Sequence, residues 1–242
     1  MDIRLFDTAD DVAAVVAGRL ADAVAARPEL VLGLPTGRTP VATYASLRRL
    51  HHAGNVSFAR VTTFNLDEFA GIPAGHPGSF RTFMDRHLFS EVNLAPGRIH
   101  FLNGAAPDLD AECARYEAAI GAAGGIGLLL LGIGSNGHVG FNEPGTELAA
   151  RTHRVHLAAS TRRDNAALFG GDIAQVPAEA LSMGMGTILG AGTIVLIATG
   201  ERKAQCVGKA VHGPLTTQLP ASFLQLHRNV ELYLDRPAAS RL

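Results

Sequence analysis

Short, continuous apolar runs alternate along the chain with longer segments in which apolar residues recur every three or four positions. The first pattern is typical of strands buried on both faces of a sheet, and the second is typical of amphipathic helices. The predicted strands are residues 3–6, 29–34, 61–64, 127–131, 154–158, 193–198 and 230–234. The predicted helices are residues 8–26, 40–51, 79–89, 108–120, 161–169 and 201–211, and Thr161 is the predicted N-cap of the fifth.

This alternation predicts an α/β protein with a Rossmann-like fold, in which a mostly parallel sheet carries helices on both faces. No repeat, low-complexity segment or linker divides the sequence, so we expect a single domain over residues 1–242. In such sheets, ligands bind beyond the carboxyl ends of the strands. The segments that follow the strands are therefore the candidates for chemistry.

Composition narrows the range of partners. The formal net charge is −1, which argues against a nucleic-acid binder. The longest apolar run, residues 126–133, is far short of the roughly 18 residues that a membrane span needs. The N-terminal segment has no signal-peptide pattern, so we expect a cytoplasmic protein without membrane contact. Cys113 and Cys206 are far apart and lack metal-site spacing, so we expect two small buried side chains.

The loop after the second predicted strand reads GLPTGRTP over residues 33–40. Gly37 permits an unusual backbone angle, Thr36 and Thr39 offer hydroxyl groups, and Pro40 suits the first helical position. Backbone N–H groups at a helix start bind anions, so this loop is a candidate phosphate site. A plain strand-to-helix turn explains the same residues. The Lys-Ser/Thr ending of a nucleoside-triphosphate loop is missing.

Two adjacent carboxylates, Asp67 and Glu68, follow the third predicted strand. Neighbouring side chains point to different sides, so we expect one of the two to face the cleft. The alternatives are a helix N-cap and a solvated acidic turn.

The loop after the strand at residues 127–131 reads GIGSNGH and matches the pattern of a dinucleotide-binding site. We reject that function, because Pro144 follows too soon for a long helix and residues 155–158 hold no acidic side chain for a ribose. His138 and Glu143, five residues apart, could instead form an acid/base pair. A loop histidine bonded to a backbone carbonyl is the alternative. No third ligand lies at a spacing that suggests zinc.

Lys203 follows the strand at residues 193–198, in the first turn of a predicted helix. A cation there opposes the helix dipole unless it binds an anion. The residue is therefore a candidate anion ligand, and a solvated surface lysine is the alternative.

Together these segments resemble the glucosamine-6-phosphate deaminases, also called glucosamine-6-phosphate isomerases, of the short bacterial type. The matching segments occur in family order and are LGLPTGRTP, FNLDEF, HPGSF, GIGSNGHVGFNEPG, TRRDNAALFGGDIAQVP, GMGTILGA, GERKA and ASFLQLH. The resemblance implies conversion of glucosamine 6-phosphate and water to fructose 6-phosphate and ammonia, in amino-sugar catabolism. It implies no metal and no organic cofactor.

The resemblance also implies the roles of individual residues. Asp67 would move the C2 proton of the substrate to C1, and His138 would assist opening of the sugar ring. Glu143 and Asn136 would orient His138, and we expect the Asn136 amide oxygen to accept the His138 N–H. The residues implied in phosphate binding are Thr36, Gly37, Arg38, Thr39 and Lys203.

The chain departs from the family pattern at several positions. Ala167 stands where relatives usually carry an arginine that contacts the phosphate. Arg38 and Arg163 are unusual arginines nearby, and we expect Arg38, rather than Arg163, to supply the lost guanidinium. HPGSF, with Gly78, replaces the more usual HPESY.

Three alternatives to this function stay open. They are a deaminase for another amino-sugar phosphate such as galactosamine 6-phosphate, a 6-phosphogluconolactonase-like hydrolase, and a non-catalytic sugar-phosphate sensor. Lactonases of similar fold usually carry other motifs than FNLDEF and FNEP, and a sensor has no need for Asp67, His138 and Glu143 together. We expect a small-molecule sugar phosphate as the partner, and both a monomer and a homo-oligomer are compatible with the sequence.

Overall fold

The computed structural model describes residues 1–242 and contains ten strands and seven α-helices, with short 3₁₀ turns between them. The strands are β1 (Asp2–Phe6), β2 (Val31–Leu34), β3 (Thr62–Asn65), β4 (Asp67–Phe69), β5 (Ile99–His100), β6 (Leu128–Gly132), β7 (His153–His156), β8 (Glu179–Ser182), β9 (Thr193–Ala198) and β10 (Val230–Asp235). The helices are α1 (Ala9–Ala26), α2 (Thr39–His52), α3 (Phe80–His87), α4 (Leu109–Ala122), α5 (Ala159–Asn165), α6 (Met185–Leu189) and α7 (Ala204–His212).

Seven strands form the central sheet in the order β1-β10-β9-β6-β2-β3-β5, and every neighbouring pair is parallel. The leucines of β6 show how the sheet is buried. Leu128 and Leu130 pack into a core with side chains of α1, α2 and α3, whereas Leu129 and Leu131 pack with α4, α6 and α7. Successive side chains of a strand point to opposite faces, so helices on both sides leave no polar face. The predicted α/β fold class is confirmed.

A second, antiparallel sheet of three strands, in the order β4-β8-β7, was not predicted. Its register places Asp67 opposite Ser182, so the segment directly after β3 pairs with a strand far along the chain. Beside this sheet lies a separate aromatic cluster that includes Phe69, Phe80 and Phe169. The strand predicted at residues 154–158 is β7 and belongs to this sheet.

Several helix boundaries differ from the prediction, and three of these differences bear on the predicted site. Thr161 is not an N-cap, because α5 begins at Ala159 after Ala158, which makes no side-chain cap bond. A 3₁₀ turn, Glu201–Lys203, precedes α7, so Lys203 lies just before that helix. Helix α2 begins at Thr39, which makes Pro40 its second residue. The predicted start of α1 is confirmed as a capping box in which Thr8 accepts the Asp11 N–H at 3.1 Å.

Cys113 and Cys206 are both buried and unpaired, as predicted. None of the helices combines the length and the apolar character needed to cross a membrane.

Candidate active site

The carboxyl ends of β2, β3, β6 and β9 border one cleft of about 260 Å³. Strand β2 has β3 on one side and β6 on the other, so the strand order reverses direction between β2 and β6. The carboxyl ends of the strands at such a topological switch point are where α/β sheets bind ligands. The predicted site residues that line the cleft are Thr36, Gly37, Arg38, Thr39, Asp67, His138 and Lys203. Asn136 and Glu143 are not among the lining residues and lie behind His138.

The two neighbouring carboxylates have different environments. Glu68 accepts backbone N–H groups of Phe69, Phe80 and Arg81, each at 2.9 Å, and so binds the first turn of α3. Asp67 lies at the start of β4 and lines the cleft, and its buried Oδ1 has no hydrogen-bond partner. As predicted, only one of the pair faces the cleft. The N-cap alternative is not borne out, because the N-cap of α3 is Ser79, and Glu68 accepts the first N–H groups of that helix from a separate strand.

Burial raises the pKa of the Asp67 carboxyl to about 8, and the adjacent charge of Glu68 acts in the same direction. The unliganded protein therefore holds Asp67 largely protonated at neutral pH. Once ionised, a carboxylate with a raised pKa is a stronger base than an ordinary aspartate. Asp67 lines the cleft and makes no side-chain hydrogen bond, so the carboxyl is available to a molecule that binds there.

Glu143 brings a fixed negative charge to His138. Its Oε2 lies 3.6 Å from Nδ1 of His138, just beyond hydrogen-bond distance, and this nitrogen has no other partner. Burial alone raises the pKa of Glu143, but the contacts with His138, Thr161 and Asn136 outweigh burial and lower the pKa to about 2. Glu143 is therefore ionised at neutral pH. A short shift of the loop would close the contact with the imidazole, as catalytic hydrogen bonds often do when substrate binds.

Asn136 makes no hydrogen bond to the imidazole, which corrects the sequence-based expectation. Its Oδ1 accepts the backbone N–H of His138 at 3.1 Å, and its Nδ2 donates to Oε2 of Glu143 at 2.9 Å. The imidazole packs instead against Gly134, where an added Cβ would lie only 2.3 Å from Cε1 of His138. Asn136 thus holds the loop and the glutamate, and acts on His138 only through them.

The other end of the cleft has the features of an anion site. Gly37 adopts a φ of 98°, and the hydroxyl of Tyr44 fixes the loop by donating to the carbonyl of Pro35 at 2.5 Å. No side chain caps the N-terminus of α2, so its first N–H groups stay available to a ligand. The pKa of Lys203 is lowered, mainly by burial and also by the charge of Arg38, although Cys206 and Asp164 act in the opposite direction.

Helix α5 and the 3₁₀ turn after it form one wall of the cleft. Ala167 lines the cleft, as does Arg38 from the opposite loop, whereas Arg163 is exposed and outside the lining. Sequence reasoning missed Thr161 and Asp164 as lining residues. The spacing of residues 161, 164, 165, 167 and 168, three or four apart, was a usable signal for this wall.

Comparisons with known proteins agree with this architecture. A sequence profile of the family described as "Glucosamine-6-phosphate isomerases/6-phosphogluconolactonase" matches residues 6–233. The chain is 48% identical over 228 residues to glucosamine-6-phosphate deaminase 1 of Giardia intestinalis, which covers 94% of this chain and 86% of that protein. It is 45% identical over 243 residues to glucosamine-6-phosphate deaminase 2 of Bacillus subtilis (strain 168), covering 100% and 98% of the two proteins.

A solved structure of a monomeric glucosamine-6-phosphate deaminase superposes on the whole chain with a TM-score of 0.96, at 42% identity and with 100% of both chains covered. Sequence identity and fold similarity thus extend over the full length of the chain, including every loop that borders the cleft. The chain belongs to the glucosamine-6-phosphate isomerase/6-phosphogluconolactonase family, and within it to the glucosamine-6-phosphate deaminases.

Proposed function

We propose that this protein converts glucosamine 6-phosphate and water to fructose 6-phosphate and ammonia, in amino-sugar catabolism. One observation carries the proposal. The cleft holds a single buried carboxyl with an unpartnered oxygen, Asp67, together with His138 and an uncapped helix start that suits a phosphate. An isomerisation between neighbouring carbons needs one such group, and a sugar phosphate needs an anchor away from the reacting carbons.

The reaction begins with opening of the sugar ring, which moves a proton from O1 to O5. His138 is the group for this relay, because a neutral imidazole can accept and return a proton near neutral pH. Glu143 lies on the Nδ1 side, which leaves Nε2 for the substrate. The fixed charge of Glu143 stabilises the imidazolium that forms transiently.

Asp67 then carries out the isomerisation. Its carboxylate removes the proton from C2 of the open-chain aldehyde while the ammonium group on C2 gives a proton to O1, and the product is an enolamine. Asp67 then returns its proton to C1, which leaves a protonated imine at C2. Water adds to this imine and ammonia leaves, so that the ketone of fructose 6-phosphate remains. One carboxyl group suffices, because the proton that it takes is the proton that it returns.

The phosphate group orients the substrate. We propose that Thr36, Thr39 and the first N–H groups of α2 bind the phosphate together with Lys203. Arg38 lines the same cleft and stands in for the guanidinium that relatives carry at the position of Ala167. Asp164 also lines this wall, and an added cation such as Arg38 would offset its negative charge when a dianionic ligand binds.

The experiment is incubation of the purified protein with glucosamine 6-phosphate, with fructose 6-phosphate and ammonia measured in parallel. We expect equimolar release of both, reduced at least about a thousandfold in Asp67→Asn. Galactosamine 6-phosphate and 6-phosphogluconolactone serve as competing substrates, and a higher kcat/KM for either would replace the proposed reaction. Binding of glucosamine 6-phosphate without turnover would indicate a sensor.

We also propose a cytoplasmic location. Both cysteines are unpaired and buried, and free thiols are typical of a reducing compartment. Fractionation of the source cells tests this location, and recovery of the protein outside the cytoplasmic fraction would contradict it.

A further inference from the structure

Thr161 is a buried polar residue in the first turn of α5, with only 2% of its surface exposed. Threonine near a helix start usually caps the helix, but here the cap position belongs to Ala158. The Thr161 hydroxyl instead donates to Oε1 of Glu143, which lies on the loop between β6 and β7. Its hydrogen-bonding capacity is therefore directed at the glutamate beside His138, and not at the helix that carries it.

The two oxygens of Glu143 have separate partners. Oε1 accepts the hydroxyl of Thr161, while Oε2 accepts the Asn136 amide at 2.9 Å and lies 3.6 Å from Nδ1 of His138. The Asn136 and Thr161 donors hold the carboxylate plane from its two ends. Without Thr161 the carboxylate would keep only one fixed donor and could rotate away from the imidazole.

Helix α5 has its own anchors outside the cleft. The Arg162 guanidinium donates to the carbonyls of Ile173 and Val176 at 2.9 and 2.8 Å. The ring of Phe169 packs edge-on against Phe69, with 5.2 Å between centroids. The Thr161 hydroxyl is the link from this anchored segment to the carboxylate.

We propose that Thr161 is a positioning residue, which holds the Glu143 carboxylate so that Oε2 faces His138. The inference rests on the proposed function, because it assigns Thr161 to the pair that opens the sugar ring. It also makes the orientation of Glu143 depend on α5 lying over the cleft. A helix that moves away would take one of the two fixed donors with it.

Loss of the hydroxyl leaves a buried carboxylate oxygen without a donor. His138 is the titratable group beside Glu143, and Asn136 is the remaining donor. Because hydrogen bonds to an anion favour its ionised form, the pKa of Glu143 should rise in the absence of the hydroxyl, by about one to two units. A substitution that keeps the hydroxyl should leave this pKa where it is.

The test compares Thr161→Val, which keeps the shape, with Thr161→Ser, which keeps the hydroxyl. Thr187→Val is a matched control, because the Thr187 hydroxyl donates to the glutamate Glu117 at 2.6 Å and lies outside the cleft. We expect kcat to fall about tenfold in Thr161→Val with KM within about twofold of wild type, since loss of one charge-assisted hydrogen bond is of this size. We expect Thr161→Ser and the control to stay within about twofold of wild type.

A second measurement does not depend on turnover. The Glu143 carboxyl is followed by carbon-13 resonance in glutamate-labelled protein, and its signal is identified by its absence in Glu143→Gln. An upward shift of the Glu143 pKa in Thr161→Val, absent in Thr161→Ser, supports the assignment. If Thr161→Val does not fold, Thr161→Ala takes its place.

Three results would overturn the inference: an unchanged kcat in Thr161→Val, a raised KM with unchanged kcat, or equal losses in the valine and serine variants. A raised KM with unchanged kcat would mean that Thr161 contacts the substrate. Equal losses in the two variants would mean that its side chain only packs. Absence of turnover in the wild type counts against the proposed function. The carboxyl titration still decides separately whether Thr161 holds Glu143.

Discussion

Replacement of Asp67 by Asn is expected to change how the stability of the protein depends on pH. In the folded protein burial raises the pKa of this carboxyl from 3.8 to about 8. In the unfolded chain the side chain is solvated and titrates near its ordinary value. Between these two values the folded state binds one proton more than the unfolded state. The contribution of Asp67 to the free energy of unfolding therefore falls as pH rises through this window.

The size of the effect follows from the shift. One proton of difference corresponds to about 1.4 kcal/mol for each pH unit, so Asp67 should cost about 3 kcal/mol between pH 5 and pH 7. Asparagine is nearly the same shape and cannot ionise, so the variant lacks this contribution. Glu68 and all other titratable groups are present in both proteins, and their contributions cancel to first order in the difference.

The assay is urea unfolding of wild type and Asp67→Asn at pH 5, 6 and 7. The stability of the variant minus that of the wild type should increase by about 3 kcal/mol over this range. Equal dependence on urea concentration in the two proteins is the control, because it shows that the same surface unfolds. Parallel stability profiles across this range would refute the reasoning, since they would mean that Asp67 is already ionised in the folded protein.

Three further predictions concern the surroundings of the cleft. Arg38→Ala should raise KM for the sugar phosphate about tenfold or more with little change in kcat, whereas Arg163→Ala should change neither constant. Equal changes of KM in the two variants, measured by steady-state kinetics, would contradict phosphate binding by Arg38. Glu143→Gln should lower kcat about a hundredfold or more, and near-wild-type turnover would exclude the proposed pair. In Gly78→Ala the new Cβ would meet the Phe169 ring at 2.7 Å, so thermal unfolding should show a loss of roughly 1–3 kcal/mol, and an unchanged Tm would contradict the packing.

The parallel sheet could be predicted because its strands are buried on both faces. The run of leucines in β6 has no polar alternation, and a short run of this kind between glycines indicates a central strand. Strand β4 gave no such signal, since two of its three residues, Asp67 and Glu68, are acidic. Its extended state depends on pairing with β8 across more than a hundred residues of chain, which no local pattern reports.

The segments of the site were predictable, but the contacts between them were not. Turn residues placed after buried strands indicated which loops reach the cleft. The partner of the Asn136 amide and the acceptor of the Thr161 hydroxyl depend on the conformation of the loop after β6 and on how α5 packs against it. The intrinsic preference of threonine for capping predicted an N-cap at Thr161, and a buried carboxylate on another element overrides that preference.

The cleft keeps two polar atoms that the fold leaves without partners, Oδ1 of Asp67 and Nδ1 of His138. Each such atom costs about 1–3 kcal/mol in a buried position, and the apolar core on both faces of the sheet offsets this cost. For Asp67 the cost and the reactivity have one cause. Burial disfavours the ionised carboxylate, and the same burial makes that carboxylate a stronger base toward a carbon acid. The substitution that relieves the cost should therefore also abolish turnover, so Asp67→Asn should be the more stable and the inactive protein at pH 7. Asp67→Asn could instead be inactive without becoming more stable than the wild type as pH rises. The basicity of Asp67 would then come from the bound substrate and not from burial in the fold.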